Sequence, residues 1–117
     1  MSYMLLIVEP ARQRYARTES EGRAKYDSML EFSEKLKARG LLAMSQSLKG
    51  DERSARVQVR GEATVVLDGP FAEAKEMVGG FFLLTCKTRE QAIEIAAECP
   101  AAKFATIEVR ELGPCFE

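Results

Sequence analysis

The stretch "DGPFAEAKE", residues 68–76, gathers the charged side chains that a small catalytic or ligand-binding site would use. Asp68 would act there as a general acid or base, with Lys75 as its electrostatic partner. Glu73 and Glu76 are three positions apart, so in a helical turn both carboxylates would lie on one side and orient the ligand. The stretch is therefore a candidate cleft for a small polar or anionic molecule.

A structural interpretation of the same residues competes with this one. Asp68 can accept a hydrogen bond from a backbone N–H two residues on, and Gly69 supplies a permissive backbone. Pro70 fixes φ at the start of a turn or of one or two helical turns, with Phe71 as an apolar anchor in the core. Because capping carboxylates are commoner than perturbed carboxylates in clefts, the residues alone favour a turn with solvated charges.

Apolar patterning predicts six strands around this stretch. They are expected at residues 3–9, 41–48, 55–59, 63–67, 81–86 and 103–112. The third and fourth strands form a hairpin that turns at 60–62. The glycine pair at 79–80 is expected to allow a tight entry to the fifth strand or a close backbone approach by a ligand.

Two helices are predicted by capping boxes at their starts and by helix-ending residues behind them. The first helix begins with the pair Thr18 and Glu21 and ends at Gly40. The second begins with the pair Thr88 and Gln91 and ends at Pro100. Without the hairpin, the order of elements is βαββαβ, the ferredoxin-like or split-βαβ arrangement of an α+β domain.

Two helices can cover only one face of such a sheet. The segments "YMLLIV" (3–8) and "GFFLL" (80–84) are nevertheless apolar on both faces, where a solvated face would alternate with polar residues. A large uncovered apolar face marks an interface, and a second copy of the chain is the economical partner. We therefore expect a homodimer with two-fold symmetry, packed sheet against sheet.

The length and charge of the chain limit the classes of protein to which it can belong. The 117 residues suit a single domain, 1–117, and the 17 basic and 18 acidic side chains are spread along it. No basic block offers the phosphate contacts of a nucleic-acid binder. Apolar runs of about six residues are too short for a membrane span. The N-terminus lacks the basic flank and cleavage site of a signal peptide, which predicts a cytoplasmic protein without membrane partners.

Three cysteines and the absence of histidine limit the chemistry further. Cys86, Cys99 and Cys115 have unrelated spacings, so neither a zinc site nor a disulfide framework is expected, and reduced thiols are. Serine–histidine and cysteine–histidine nucleophiles are excluded within one chain. The sequence predicts no metal and no cofactor.

Nearly the whole chain resembles the DGPF-domain branch of the YCII-related proteins. The residues that carry the resemblance are "YMLLI", the nonapeptide with its glycine pair, "GGFFLL", "AIEIAAECPAA" (92–102) and "IEVREL" (107–112). The resemblance implies a ferredoxin-like α+β fold that dimerises through its sheets as an α+β barrel. The motif residues carried over are Asp68, Gly69, Pro70, Phe71, Glu73, Lys75, Glu76, Gly79 and Gly80.

The resemblance implies less about function. Many members are encoded beside extracytoplasmic-function sigma factors, and the wider group includes enzymes thought to use a histidine–aspartate pair. This chain has no histidine, and it has Ala74 where the family commonly has threonine. Two functions therefore stay open: a small-molecule-binding domain with acid/base activity at Asp68, and a non-catalytic dimeric module that binds a ligand or protein in sigma-factor-linked regulation.

Overall fold

The computed structural model describes residues 2–116 as an α+β domain with six strands and two α-helices. The elements in chain order are β1 (Tyr3–Pro10), α1 (Glu19–Ala38), β2 (Leu42–Ser47), β3 (Ala55–Arg60), β4 (Ala63–Asp68), β5 (Glu76–Leu84), α2 (Arg89–Glu98) and β6 (Thr106–Glu111). Short 3-10 turns lie at Gln13–Ala16, Asp51–Arg53 and Pro100–Lys103. Within this part of the chain, no helix is both long and apolar enough to cross a membrane.

Four of the strands form the main sheet in the order β2-β5-β1-β6, and all neighbours are antiparallel. This order is compatible with the ferredoxin-like arrangement, and the predicted α+β class is confirmed. The hairpin of β3 and β4 forms a separate two-stranded sheet. Met1 and Glu117, the first and last residues of the predicted domain 1–117, lie outside the described residues.

The core lies between the main sheet and the helices. Alternate residues of β1 are buried, from Tyr3 to Glu9, as the period of two in a strand requires. Phe32 of α1 meets Phe82 of β5 edge to face, with ring centroids 5.3 Å apart. The largest fully buried side chains are Leu5, Leu36, Leu84, Ile95, Cys86 and Cys99.

The predicted start of α1 is confirmed. Thr18 Oγ1 accepts the backbone N–H of Glu21 at 3.1 Å, and Glu21 Oε1 accepts the backbone N–H of Thr18 at 3.2 Å. At α2, Thr88 Oγ1 accepts the N–H of Gln91 at 3.1 Å. Gly40 follows α1 with φ of 70°, the left-handed conformation in which glycine ends a helix.

Of the two alternatives for residues 69–75, a turn or a short helix, the structure has turns and coil. One local prediction is wrong, because β5 begins at Glu76 rather than at residue 81. The glycine pair therefore lies inside β5, at an irregularity where Ile7 faces Gly80 and Val8 faces Val78. Gly79 is left without a facing residue there, as in a β-bulge, so the strand continues through the glycines.

Candidate functional site

A cleft of about 320 Å³ lies between α1 and the helix-facing side of the main sheet, a volume typical of small-molecule sites. Three strands and α1 form its walls, and Ala101 and Phe104 also line it. Strand residues of the lining are Ile7, Glu9, Ser45, Gln46, Ser47, Gly79, Gly80, Phe81 and Phe82. Helix residues of the lining are Gly22, Lys25, Tyr26, Met29, Leu30 and Ser33, with Arg14 and Arg17 preceding the helix.

A buried ion pair lies at one end of the cleft. Arg14 donates from Nη2 to Glu9 Oε1 at 2.7 Å and from Nε to Glu9 Oε2 at 3.2 Å, a two-point pair. The Glu9 side chain is only 6% exposed, so the charge of Arg14 offsets most of the cost of its burial. Arg14 also donates to the carbonyl oxygens of Leu48, at 2.7 Å, and Gly79, at 3.2 Å. One guanidinium thus joins β1, β5 and the segment after β2.

The glycine pair makes room for this ion pair. A Cβ at Gly79 would collide with the Glu9 carboxylate and would come within 2.7 Å of Arg14 Nη2. A Cβ at Gly80 would lie 2.9 Å from the carbonyl oxygen of Gln46 on β2. The groups that closely approach the glycine pair thus belong to the protein itself, and the approach of a ligand there stays a prediction.

The charges that face the cleft are unbalanced. Within residues 2–116, four charged side chains line it: Glu9, Arg14, Arg17 and Lys25. Glu9 is already paired with Arg14, which leaves Arg17 and Lys25 as excess positive charge. Lys25 Nζ sits 4.4 Å from the centre of the Phe104 ring, a cation–π contact that holds the ammonium at the cleft wall. A cleft with this excess concentrates anions.

Asp68, the predicted acid/base, is the last residue of β4 and its side chain is exposed. Within the described residues, positions 68–76 contribute no side chain to the cleft; the motif reaches it only through Gly79 and Gly80. The Gly69–Pro70 peptide bond is cis, and the Gly69 N–H donates to the carbonyl oxygen of Ser54 at 2.7 Å. The catalytic role of Asp68 stays a prediction.

A different aspartate, which the sequence analysis missed, fixes the turn. The Asp51 carboxylate is buried and accepts the backbone N–H of Phe71 at 3.3 Å and Arg12 Nη1 at 3.1 Å. Burial acts to raise the pKa of Asp51, but the hydrogen bonds from Arg12 and Phe71 and the charge of Arg12 outweigh it, so the pKa lies below its usual range. No local pattern in "GDERS" reveals this role, because both partners are distant in sequence.

The other predicted site residues lie around that turn. Phe71 is half-buried beneath Arg56, whose guanidinium carbon is 3.9 Å from the ring centre, so it does not anchor in the main core. Phe71 and Glu76 line a second cavity of about 310 Å³. Glu73 and Lys75 are exposed, and the Lys75 carbonyl oxygen accepts the N–H of Ala11 at 2.9 Å. The structure therefore divides the predicted site residues between a turn, a second cavity and the solvent.

The cysteines form no cluster with other ligands. All three are free, and burial raises the pKa values of the Cys86 and Cys99 thiols. Among residues 2–116, no group of three or more histidine, cysteine, aspartate or glutamate side chains is placed to hold a metal ion. The polar side-chain chemistry of the cleft thus comes from guanidinium, ammonium and hydroxyl groups, with the Glu9 carboxylate in its ion pair.

An antiparallel sheet backed by helices, with a basic cleft along α1, defines this chain as a small α+β domain. The model of the YCII-related domain matches residues 1–115, and the chain belongs to the YCII-related family. It is similar to an uncharacterized protein of Rhizobium meliloti (strain 1021), with 42% identity over 52 residues. That match covers 43% of this chain and 42% of the relative's own length.

Proposed function

We propose that the protein binds a small anionic molecule in the cleft between α1 and the main sheet. The observation that supports this proposal is the charge of the lining. Arg17 and Lys25 face the cleft, while its Glu9 carboxylate is already held by Arg14 at 2.7 Å. An incoming carboxylate or phosphate would pair with cations that the Glu9 carboxylate does not neutralise.

The rest of the lining favours a ligand with an apolar body. Ile7, Met29, Leu30 and Phe82 contribute hydrocarbon or ring surface to the cleft. Hydroxyl groups of Ser47 and Tyr26 lie in the same lining and can orient a polar substituent. A small aromatic or aliphatic acid fits this combination better than a fully hydrated inorganic ion does.

Binding accounts for the cleft more directly than catalysis does. Both oxygens of Glu9 accept hydrogen bonds from Arg14, so this carboxylate is engaged in the ion pair rather than presented to a ligand. Asp68, the acid/base candidate, lies on β4 outside the cleft. The proposed function is therefore ligand binding, and acid/base activity at Asp68 is a separate prediction with its own test.

We also propose that the domain works as a homodimer in which a second copy covers the outer face of the sheet. Cross-strand pairs bring Met4 beside Leu83 and Leu6 beside Phe81 on the face away from the helices, and all four are half-buried in one chain. Met44 of β2, opposite Leu83, is 53% exposed. An apolar face of this kind supports packing against another sheet.

A thermal-shift comparison of three ring compounds tests the ligand proposal. Benzoate, benzamide and benzylamine share a ring and carry negative, zero and positive charge. Benzoate is expected to raise Tm, because a ligand at 100 times its Kd stabilises the folded state by about 2.7 kcal/mol. The neutral and cationic compounds are expected to give smaller shifts or none, and equal shifts for all three would contradict the proposal.

Variants of the cleft cations assign the effect to the cleft. Arg17→Gln combined with Lys25→Gln is expected to abolish the benzoate shift, because both excess cations of the cleft lining are lost. Lys37→Gln, on the exposed last turn of the same helix and outside the cleft lining, is the matched control and should keep the shift. A benzoate shift that survives in the double variant would place the ligand elsewhere.

A further inference from the structure

The β3–β4 hairpin is unusually exposed for an ordered element. Residues 55–68, here called the arm, form two strands that pair with each other in a separate sheet. Every residue of both strands is exposed in the single chain. A two-stranded hairpin is at best marginally stable in water, so an ordered arm needs another surface to cover it.

One face of the arm is apolar. Residues directly opposite each other in an antiparallel pair lie on the same face, and Val57 pairs with Val66 while Val59 pairs with Thr64. Val57, Val59 and Val66 are 62%, 60% and 58% exposed. We call these residues the valine face. The opposite face is mixed: it carries Arg56, Gln58 and Arg60 along β3, opposite Leu67, Val65 and Ala63 on β4.

The accessible surface of the chain is larger than a compact monomer of the same mass would expose. The accessible surface is 8196 Å². A compact monomer of 13.0 kDa would expose roughly 6,300 Å². Its radius of gyration is 16.0 Å, against about 13.4 Å expected for 117 residues. One chain therefore carries an excess of roughly 1,900 Å², more than the ~800 Å² that each partner buries in a standard interface.

We propose that the valine face of the arm packs against a second copy of this chain, so that each subunit extends its arm onto the other. If both copies bury that excess, the interface totals roughly 3,800 Å², within the range of obligate homodimers. The net charge of -1 gives two copies little mutual repulsion. The inference rests on the proposed homodimer and adds the arm to its sheet-to-sheet contact.

In the proposed dimer, Asp68 lies at the edge of the contact that the arm makes. Asp68 pairs with Ala55 at the base of the arm, so its side chain lies on the same face as Val57 and Val66. Covering the valine face brings this exposed carboxylate to the edge of the contact between subunits. The motif that begins at Asp68 then links the arm to β5.

Sedimentation analysis over a wide concentration range tests the arm contact. Val57→Asp with Val66→Asp puts two charges on the valine face and is expected to weaken dimerisation by about 100-fold or more, because unpaired charges would be buried. Gln58→Asp, on the opposite face of the same strand, is the matched control and should keep the wild-type dimer. Met44→Asp tests the sheet contact separately.

The outcomes separate the arm from the homodimer itself. A monomeric wild type would overturn both proposals. A wild-type dimer that Met44→Asp weakens and the valine-face variant leaves unchanged would overturn the arm contact alone. Hydrogen exchange of residues 55–68 in the wild type covers the case in which the valine variant fails to fold. Protection that rises with the dimer fraction supports the arm contact, and protection independent of that fraction contradicts it.

Discussion

At the scale of single residues, Asp51 is the residue whose contribution to stability depends most clearly on pH. Its carboxylate holds Arg12 and the Phe71 N–H, and its pKa is lowered in the folded state. Its contribution to stability is therefore fully present above the unfolded pKa of about 3.9 and is lost as the pH falls through the lower folded pKa.

Asp51→Asn is expected to lower the free energy of unfolding at pH 7, because the charge that pairs with Arg12 is removed. The difference from wild type should shrink below about pH 4, where the wild-type carboxylate also loses its charge. Urea unfolding between neutral and acidic pH measures this. Asp27→Asn, at an exposed position of α1, is the control and should stay close to wild type. A difference from wild type that does not change with pH would contradict the role of the ion pair.

Asp68→Asn separates binding from catalysis. Because Asp68 is exposed and outside the cleft, the Kd of an anionic ligand should change by no more than about twofold. Any turnover of that ligand should disappear if Asp68 is the acid/base. Calorimetry on both proteins measures the Kd; a much weaker complex would show that Asp68 belongs to the binding site.

At the scale of elements, the bulge in β5 places Gly79 against the Glu9–Arg14 ion pair at the end of the cleft. Gly79→Ala is expected to destabilise the protein by about 1–3 kcal/mol, because the new Cβ would overlap the Glu9 carboxylate. Gly22→Ala in α1 is the matched control: its Cβ would lie 3.4 Å from Arg17 Nε, and it should stabilise the helix by about 0.5–1 kcal/mol. Chemical unfolding of both variants checks this, and equal effects would contradict the proposed crowding at Gly79.

The start of α1 gives a second prediction at this scale. Thr18→Ala removes the hydrogen bond to the Glu21 N–H and is expected to cost about 1 kcal/mol of stability. Thr88→Ala makes the same change at α2, where Thr88 accepts the Gln91 N–H. A larger loss at Thr18 is expected, because its capping box also holds the Thr18 N–H. Thermal unfolding compares the two variants, and an unchanged Tm for Thr18→Ala would contradict the cap.

The elements that sequence predicts well are those determined by neighbours. The cap at Thr18 spans three residues, and the alternation in β1 repeats every two, so both are visible in a short window. The site depends on contacts that sequence patterns do not encode. Arg12 lies 39 residues from Asp51, and the arrangement at Gly79 involves Glu9 on another strand. Residues 68–76, whose charges predicted a site, form a turn, whereas the cations that line the cleft lie just before α1 or within it.

At the scale of the whole molecule, the single chain has two apolar surfaces that no other part of it covers completely, and one basic cleft. The outer sheet face is apolar and half-buried apart from the exposed Met44, and the valine face of the arm is apolar and exposed, whereas the cleft lies on the helix side of the sheet. The proposed dimerisation and the proposed ligand binding therefore use different faces. Benzoate binding is expected to be similar in a folded Met44→Asp monomer and in the wild type, which calorimetry can check; binding lost with dimerisation would contradict a cleft complete in one chain.

The most direct test of the central claim, that the cleft binds a small anion, is an NMR titration with benzoate. Saturable shifts are predicted for backbone amides at the cleft, those of Gly22, Lys25, Ser47, Gly79 and Gly80. The same titration of the Arg17→Gln, Lys25→Gln variant should leave these signals unmoved. Saturable shifts confined to residues 68–76, or no saturable shift at any anion concentration, would contradict the proposal.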